Sequence, residues 1–239
     1  MIRLIDTHFH IDMYKDYMDK YKFINEAGQY TLCMTNSPGV FLSCKNIFPE
    51  SKYVKFALGL HPLNCEMKKK ELDDFFYLLP QTDYVGEIGL DFSKKARLDK
   101  LIQISTFDMI VEACLKTNKL MSVHVRDAEK EAFNILNKYR PSKCILHWYT
   151  GNFEYLLKFV EIGCHFSINA NMIKKSDELI KLIPRDRILI ESDGPYSKVN
   201  DKKYVPELLK TEYEEIARAL NEPDLTQLVW NNFKSILMK

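Results

Sequence analysis

Asp6, His8 and His10 stand two residues apart in the segment IDTHFHID. On an extended strand that spacing turns all three side chains to one face. A segment that begins like a buried strand wants Val, Ile or Leu there, because an unpaired polar group in a core costs roughly 2–7 kcal/mol. Further residues of the same chemistry recur along the chain: His61 in GLHP, Glu87 in VGEIGLD, His124 in VHVRDA, His147 in LHWYTGN and Asp193 in LIESDGP. Imidazole and carboxylate together are ligands for divalent metals. Four imidazoles plus Glu87 and Asp193 exceed the three protein ligands of a single catalytic zinc, which keeps one position open. Two metals are therefore expected, with Glu87 as the natural bridge because a carboxylate has two oxygens to share. Such a centre activates water and stabilises an in-line displacement, so hydrolysis is the expected reaction class.

The elements that must position these groups are legible as an alternation. Short apolar or β-branched runs occur at RLIDTHF, YTLCMT, YVKFALGL, DYVGEIGL, LMSVHV, KCILHW, GCHFSI and DRILIESD. Between them lie stretches with apolar residues at three- and four-residue spacing, such as ARLDKLIQISTFDMIVEACLKTN, DAEKEAFNILNKY, FEYLLKFVEIG and SDELIKLIP, and two further helices follow the last run. The helix expected over 127–139 takes Asp127 as its N-cap and stops before Pro141. Eight strand–helix units predict a closed (β/α)8 TIM barrel. An open doubly wound sheet would announce a Gly-rich phosphate loop after its first strand, and DTHFHID is not one.

A barrel carries its active site at the C-terminal ends of its strands. His8, His10, His61, Glu87, His124, His147 and Asp193 all fall there, whereas His165 lies early in the seventh run and reads as a packed strand residue. Asp6 lies a layer deeper, where it would orient a ligand rather than bind metal. No Pro/Gly/Ser linker, repeat or low-complexity tract interrupts residues 1–239, so one continuous domain is expected.

Composition narrows the function classes. With 46% hydrophobic residues and a formal net charge of +1, the chain can bury a large core and is no polycation that coats nucleic acid by charge alone. No apolar run approaches the roughly 20 residues of a membrane span, and charges interrupt the N-terminal stretch before signal-peptide length, so a soluble cytoplasmic protein is expected. Six cysteines are scattered singly with no C-x-x-C pair, which suits a reduced interior.

The motifs resemble those of the TatD family of metal-dependent deoxyribonucleases, within the amidohydrolase superfamily, along nearly the whole chain. DTHFHID resembles the family's D-x-H-x-H opening, GLHP its strand-three motif and GEIGLDF its strand-four motif. HVRDA resembles H-x-R-x-A, HWYTGN resembles H-x-F-S/T-G, ESDGPY resembles E-T/S-D-x-P, and NNFKSIL resembles the terminal N-F helix. The resemblance implies that His8, His10, Glu87, His124, His147 and Asp193 bind the metals, with Asp193 also accepting a proton from the nucleophilic water. Ligand chemistry leaves the metal open between Mg²⁺ or Mn²⁺, which suit phosphoryl hydrolysis, and Zn²⁺, which suits imidazoles, and the resemblance implies a 3′–5′ exonuclease acting on single-stranded DNA ends. His61 is then a candidate for phosphate contact or leaving-group assistance.

The chain departs from the family after Asp193, where YSKVNDKKYVPELL replaces an Arg-Gly and Asn-x-Pro stretch. In being short and lysine-rich it is similar to the TatD-like component of Qat anti-phage systems, which implies protein partners in a bacterial defence complex. Basic residues recur around the expected mouth: Lys68 to Lys70, Lys94 and Lys95, Lys174 and Lys175, and Lys198, Lys202 and Lys203. Trp148, Tyr149 and Tyr196 follow ligand positions and are expected to stack on unpaired bases. Arg126 is expected to pair with a phosphate oxygen or to hold a loop carboxylate such as Asp91. Two alternatives stand beside the nuclease. One is an amide or ester hydrolase of the same superfamily, many of which bridge their metals with a carboxylated lysine where Glu87 stands. The other is a metal-bearing, slow or inactive binding subunit of a larger complex.

Overall fold

The computed structural model describes residues 3–175 and 177–239. All eight apolar runs contribute strands: β1 (Ile5–Phe9), β2 (Tyr30–Cys33), β3 (Val54–Phe56), β4 (Tyr84–Asp91), β5 (Leu120–Arg126), β6 (Cys144–His147), β7 (His165–Ile168) and β8 (Ile188–Ile190). They pair in parallel with their sequence neighbours in two arcs, β1–β2–β3 and β4 through β8. A parallel bridge between Leu58 and Val85 joins the arcs. There Leu58 N donates to Tyr84 O at 3.0 Å and Gly86 N to Leu58 O at 2.9 Å.

The seam between β8 and β1 is held differently. Thr7 Oγ1 donates to Ile190 O at 2.9 Å, Ser192 N and Oγ donate to the Asp6 carboxylate at 2.9 and 2.6 Å, and Asp193 N donates to His8 O at 2.8 Å. The ring closes as a (β/α)8 barrel. Asp6 is buried, and its carboxyl is pushed up to about 7 by that burial against the bonds from Ser192 and His8. It acts on the site through the backbone, accepting from the N–H groups of His8 and Ser192.

The helices α1 (Tyr17–Ala27), α2 (Pro38–Ile47), α3 (Lys69–Leu78), α4 (Lys100–Lys116), α5 (Glu129–Tyr139), α6 (Phe153–Glu161), α7 (Ala170–Lys175), α8 (Asp177–Lys181), α9 (Leu209–Leu220) and α10 (Leu225–Leu237) complete the chain. Several begin on side-chain caps that satisfy first-turn N–H groups. Ser37 accepts from Val40 N with Pro38 at the first helical position, Asp99 accepts from Leu101 N, and Asn152 accepts from Glu154 N. Asp127 is not such a cap. It sits in the left-handed region at φ 54°, and α5 starts two residues later behind Ala128. The helix expected over SDELIKLIP appears in part as α8; its Ser176 lies outside the described residues.

Phe9, Phe41, Phe75, Phe107, Phe159 and Phe166 are fully buried, and the six cysteines are buried among the apolar side chains. His165 opens β7 as a buried residue. After β8 the replaced stretch forms a hairpin, β9 (Lys198–Val199) against β10 (Lys202–Lys203). Its two-residue turn, Asn200–Asp201, has φ values of 48° and 61°, the conformation that two-residue hairpins favour. Among the described residues no helix is long and apolar enough to cross a membrane.

Candidate metal centre

Six of the eight strands deliver a polar residue to the same end of the barrel. β1 carries His8 and leads into His10, the loop after β3 carries His61, β4 carries Glu87, β5 carries His124, β6 ends on His147, and the turn after β8 carries Asp193. Glu87 lies inside β4 rather than at its end, where the register against β5 breaks between Val85 and Ile88. Further along, Gly89 at φ 138° pairs with His124. A Cβ there would lie 2.0 Å from the His124 carbonyl oxygen, so only glycine lets β5 approach closely enough to present His124.

Glu87 is the centre of the cluster. Its Oε1 lies 2.8 Å from His147 Nε2, 3.0 Å from His124 Nδ1 and 3.1 Å from His61 Nε2. Its Oε2 lies 3.4 Å from His10 Nε2 and 3.6 Å from His8 Nε2. Asp193 Oδ1 faces the second set, 3.5 Å from His10 Nε2 and 3.7 Å from His8 Nε2. The two carboxylate oxygens of Glu87 therefore look at different groups of imidazoles. Burial opposes the Glu87 charge, but the surrounding imidazoles, His61 and His147 foremost, hold its carboxyl well below the usual range.

Ring nitrogens also face one another, His8 Nε2 to His10 Nε2 at 3.2 Å and His124 Nδ1 to His147 Nε2 at 3.3 Å. Neutral imidazoles offer one lone pair each, and converging lone pairs suit a cation better than they suit each other. Two of the rings are fixed from behind. His8 Nδ1 lies 2.9 Å from Ser122 Oγ, and His124 Nε2 lies 3.0 Å from Asp91 Oδ2, partners that turn the other nitrogen inward. Burial and the neighbouring His147 push His8 down to about 3, whereas the surrounding carboxylates outweigh burial and push His10, His124 and His147 up, so a cation bound there would displace protons from those three. Three sets of donors lie within 4.8 Å of one another: His8, His10 and Asp193; His61, Glu87 and His124; and His8, His147 and Glu191. The donor set fits divalent cations.

His61 differs from the other imidazoles. Its Nδ1 accepts from Leu63 N at 3.0 Å, which leaves Nε2 as the N–H of the neutral ring. Glu191 is a residue that the sequence reading passed over although it stands in the quoted ESD segment. Fully buried, it accepts from the Ser167 hydroxyl and from Asn169 Nδ2, and it lies 3.7 Å from His147 Nδ1. Burial raises its carboxyl pKa.

The centre opens into a cleft of about 400 Å³ whose walls include Asn36, Asn64, Lys95, Arg126, Trp148 and Tyr196. Trp148 and Asp193 adopt φ values of 39° and 47°. Non-glycine residues held in that region cost about 1–3 kcal/mol each, and such strain gathers at functional sites. Tyr196 is 57% exposed and meets the His10 ring edge-on at 5.6 Å.

Tyr149 does not belong to the cleft. It is 1% exposed, packs against Phe159 and Phe166, and donates its hydroxyl to Asn152 O at 2.9 Å. The left-handed turn at Trp148 interrupts the strand there, so Tyr149 is a core residue rather than a platform for bases. Arg126 is exposed at the cleft and does not hold Asp91, which instead accepts from His124 Nε2 and Ser93 N. Burial opposes the Asp91 charge, but those bonds hold the carboxyl down at about 2.

Known proteins resemble the chain in sequence and in fold. The family model described as TatD related DNase matches residues 5–238. An uncharacterized metal-dependent hydrolase of Buchnera aphidicola is 27% identical over 270 residues, covering 98% of each chain. The deoxyribonuclease Tat-D of Schizosaccharomyces pombe is 28% identical over 131 residues, 53% of this chain and 42% of that protein. Among solved structures, the TatD homologue YjjV of Escherichia coli superimposes with a TM-score of 0.83 at 20% identity, covering 98% of both chains.

Proposed function

The chain belongs to the TatD-related DNase family and is a metal-dependent hydrolase, and on that premise we propose that it is a phosphodiesterase removing nucleotides from single-stranded DNA ends, in the 3′–5′ direction. The observation that carries the reading is the division of Glu87, whose two oxygens face separate donor sets. His8, His10 and Asp193 would hold one divalent cation and His124 and His147 the other, with Glu87 shared between them. Mg²⁺ or Mn²⁺ suits the reaction and Zn²⁺ suits the imidazoles. Bound there, the ions would supply Lewis-acid stabilisation of the phosphate oxygens and a more acidic water.

The chain's own groups do the rest. Arg126 at the cleft offers a planar fork to a phosphate oxygen. Trp148 and Tyr196 border the cleft as surfaces for the terminal bases. Asp193 takes the proton of the attacking water as the new P–O bond forms. The bond from phosphorus to the 3′-oxygen breaks, and His61 Nε2–H protonates that oxygen as it leaves. Glu191, held by the Ser167 hydroxyl, places a carboxylate 3.7 Å behind His147 Nδ1. Residues 1–239 work as one hydrolase domain. The likeness of this short, lysine-rich chain to the TatD-like component of Qat anti-phage systems supports a role within a bacterial defence complex.

End-labelled single-stranded DNA incubated with the protein and Mg²⁺ or Mn²⁺ tests the reading. A stepwise ladder that Glu87→Gln and Asp193→Asn abolish supports it. Full metal occupancy without cleavage would sink it and leave a metal-bearing binding subunit in its place.

A further inference from the structure

The hairpin β9–β10 carries an electrostatic cost that the fold itself does not explain. Lys198 and Lys203 are paired directly across the two strands, and like charges placed opposite one another destabilise a strand pair. Lys198, Lys202, Lys203 and nearby Lys175 are exposed, and among the described residues no carboxylate pairs with any of them. The acid at the turn, Asp201, faces Lys174 at 3.6 Å instead. The contrast with the lysines after β3 is direct, since Lys68, Lys69 and Lys70 are paired with Glu66, Asp73 and Asp74.

The hairpin is also fixed in place. Val199 and Tyr204 are buried, Lys198 N donates to Asn171 Oδ1 at 3.1 Å beside α7, and Tyr14 donates to Tyr204 O at 2.7 Å. It begins only five residues after Asp193, at most about 17 Å of extended chain, and Tyr196 stands between the two. The hairpin's lysines therefore start no farther than that from Asp193, which with Tyr196 lines the cleft.

We infer that β9–β10 is a binding track for the phosphodiester backbone of a single-stranded nucleic acid, holding the part of the strand that leads away from the cleft. This rests on the nuclease reading for the position of the strand's end. A rigid pair of unneutralised strands beside exposed Tyr196 suits a repeating monoanion with bases free to stack. Affinity from such contacts comes with counterion release, about 0.7 in the slope of log K against log salt for each phosphate on a single strand. Three lysines should contribute roughly 2 to that slope.

Fluorescence anisotropy of labelled 20-nucleotide and 2-nucleotide oligothymidylates, titrated with the full chain in Ca²⁺ over a salt series, tests the track without requiring cleavage. In the combined variant Lys198→Ala, Lys202→Ala, Lys203→Ala the preference for the 20-mer over the dinucleotide should fall about tenfold near 0.1 M salt, and the 20-mer's slope should drop by roughly 2. The corresponding triple arginine variant should restore both. Failure of the wild type to bind the 20-mer, or an unchanged preference and slope in the alanine variant, overturns the track. Equal hairpin-dependent competition by a 20-residue polyglutamate overturns it in favour of an acidic protein partner. Hairpin-dependent binding without cleavage of the 20-mer in Mg²⁺ or Mn²⁺ supports the track and overturns the nuclease reading.

Discussion

Asp91→Asn tests whether the metal centre is tuned from behind. Asp91 is fully buried, and its Oδ2 lies 3.0 Å from His124 Nε2. That contact fixes the tautomer that turns His124 Nδ1 towards Glu87, 3.0 Å away. The strand end does not depend on the carboxylate, because Gln103 clamps the Asp91 backbone by accepting from its N–H and donating to its carbonyl, both at 2.9 Å. Removing a group that orients a ligand typically costs 10–100-fold in metal affinity, about 1.4–2.7 kcal/mol. Asparagine keeps an acceptor but loses the charge, which roughly halves the bond. We expect about a tenfold loss of Mn²⁺ affinity for Asp91→Asn and about a hundredfold loss for Asp91→Ala, which leaves the His124 N–H unpaired. Isothermal titration with Mn²⁺ reads both, and Arg126→Ala serves as the control because Arg126 does not hold Asp91. Wild-type affinity in both Asp91 variants, with unchanged thermal unfolding, would refute the reasoning.

Other consequences are independent of that bond. His61→Gln should lower kcat by about 10²–10⁴-fold at unchanged metal stoichiometry, since its Nε2 carries the proton; a lost metal ion would make His61 a ligand instead. Tyr149→Ala should cost about 3–5 kcal/mol in urea unfolding, as for other large buried aromatics. Tyr196→Ala should leave stability unchanged and weaken oligothymidylate binding by about 1–3 kcal/mol. Burial pushes His165 down to about 3, against 6.5 when unfolded. The stability this neutral ring contributes is complete above pH 6.5 and is lost as pH falls towards 3, up to about 4 kcal/mol. The urea midpoint of His165→Phe should therefore decline less than that of the wild type between pH 7 and 4.

The barrel and most of the centre were legible because both follow from local pattern. Apolar runs of strand length mark the strands, and a polar residue at the end of such a run has few reasons to be there besides chemistry. His8 and His10 both face Glu87, whereas the Asp6 carboxylate turns to Ser192 and lies 3.4 Å from the Tyr204 hydroxyl, and Phe9 packs against Tyr14 and Tyr204. What local pattern could not carry was backbone conformation and long-range partnership. Its place just after His147 predicts an accessible Tyr149, but Trp148 turns left-handed and Tyr149 is buried in the core. Asp127 looked like a cap because the residue type is right, whereas its φ is wrong for the position. Asp6 closes a seam with Ser192, 186 residues away, and Asp91 reaches His124 across a strand pair. The hairpin was detectable, since Asn-Asp between Val199 and Lys202 is turn chemistry, but it is masked by the lysines around it.

The central claim is a pair of metal ions sharing Glu87. Native mass spectrometry of the protein with saturating Mn²⁺ counts them directly, in the wild type and in Glu87→Gln. Two Mn²⁺ per chain are expected in the wild type and at most one in the variant. A single ion in the wild type, or two ions in both proteins, would contradict it.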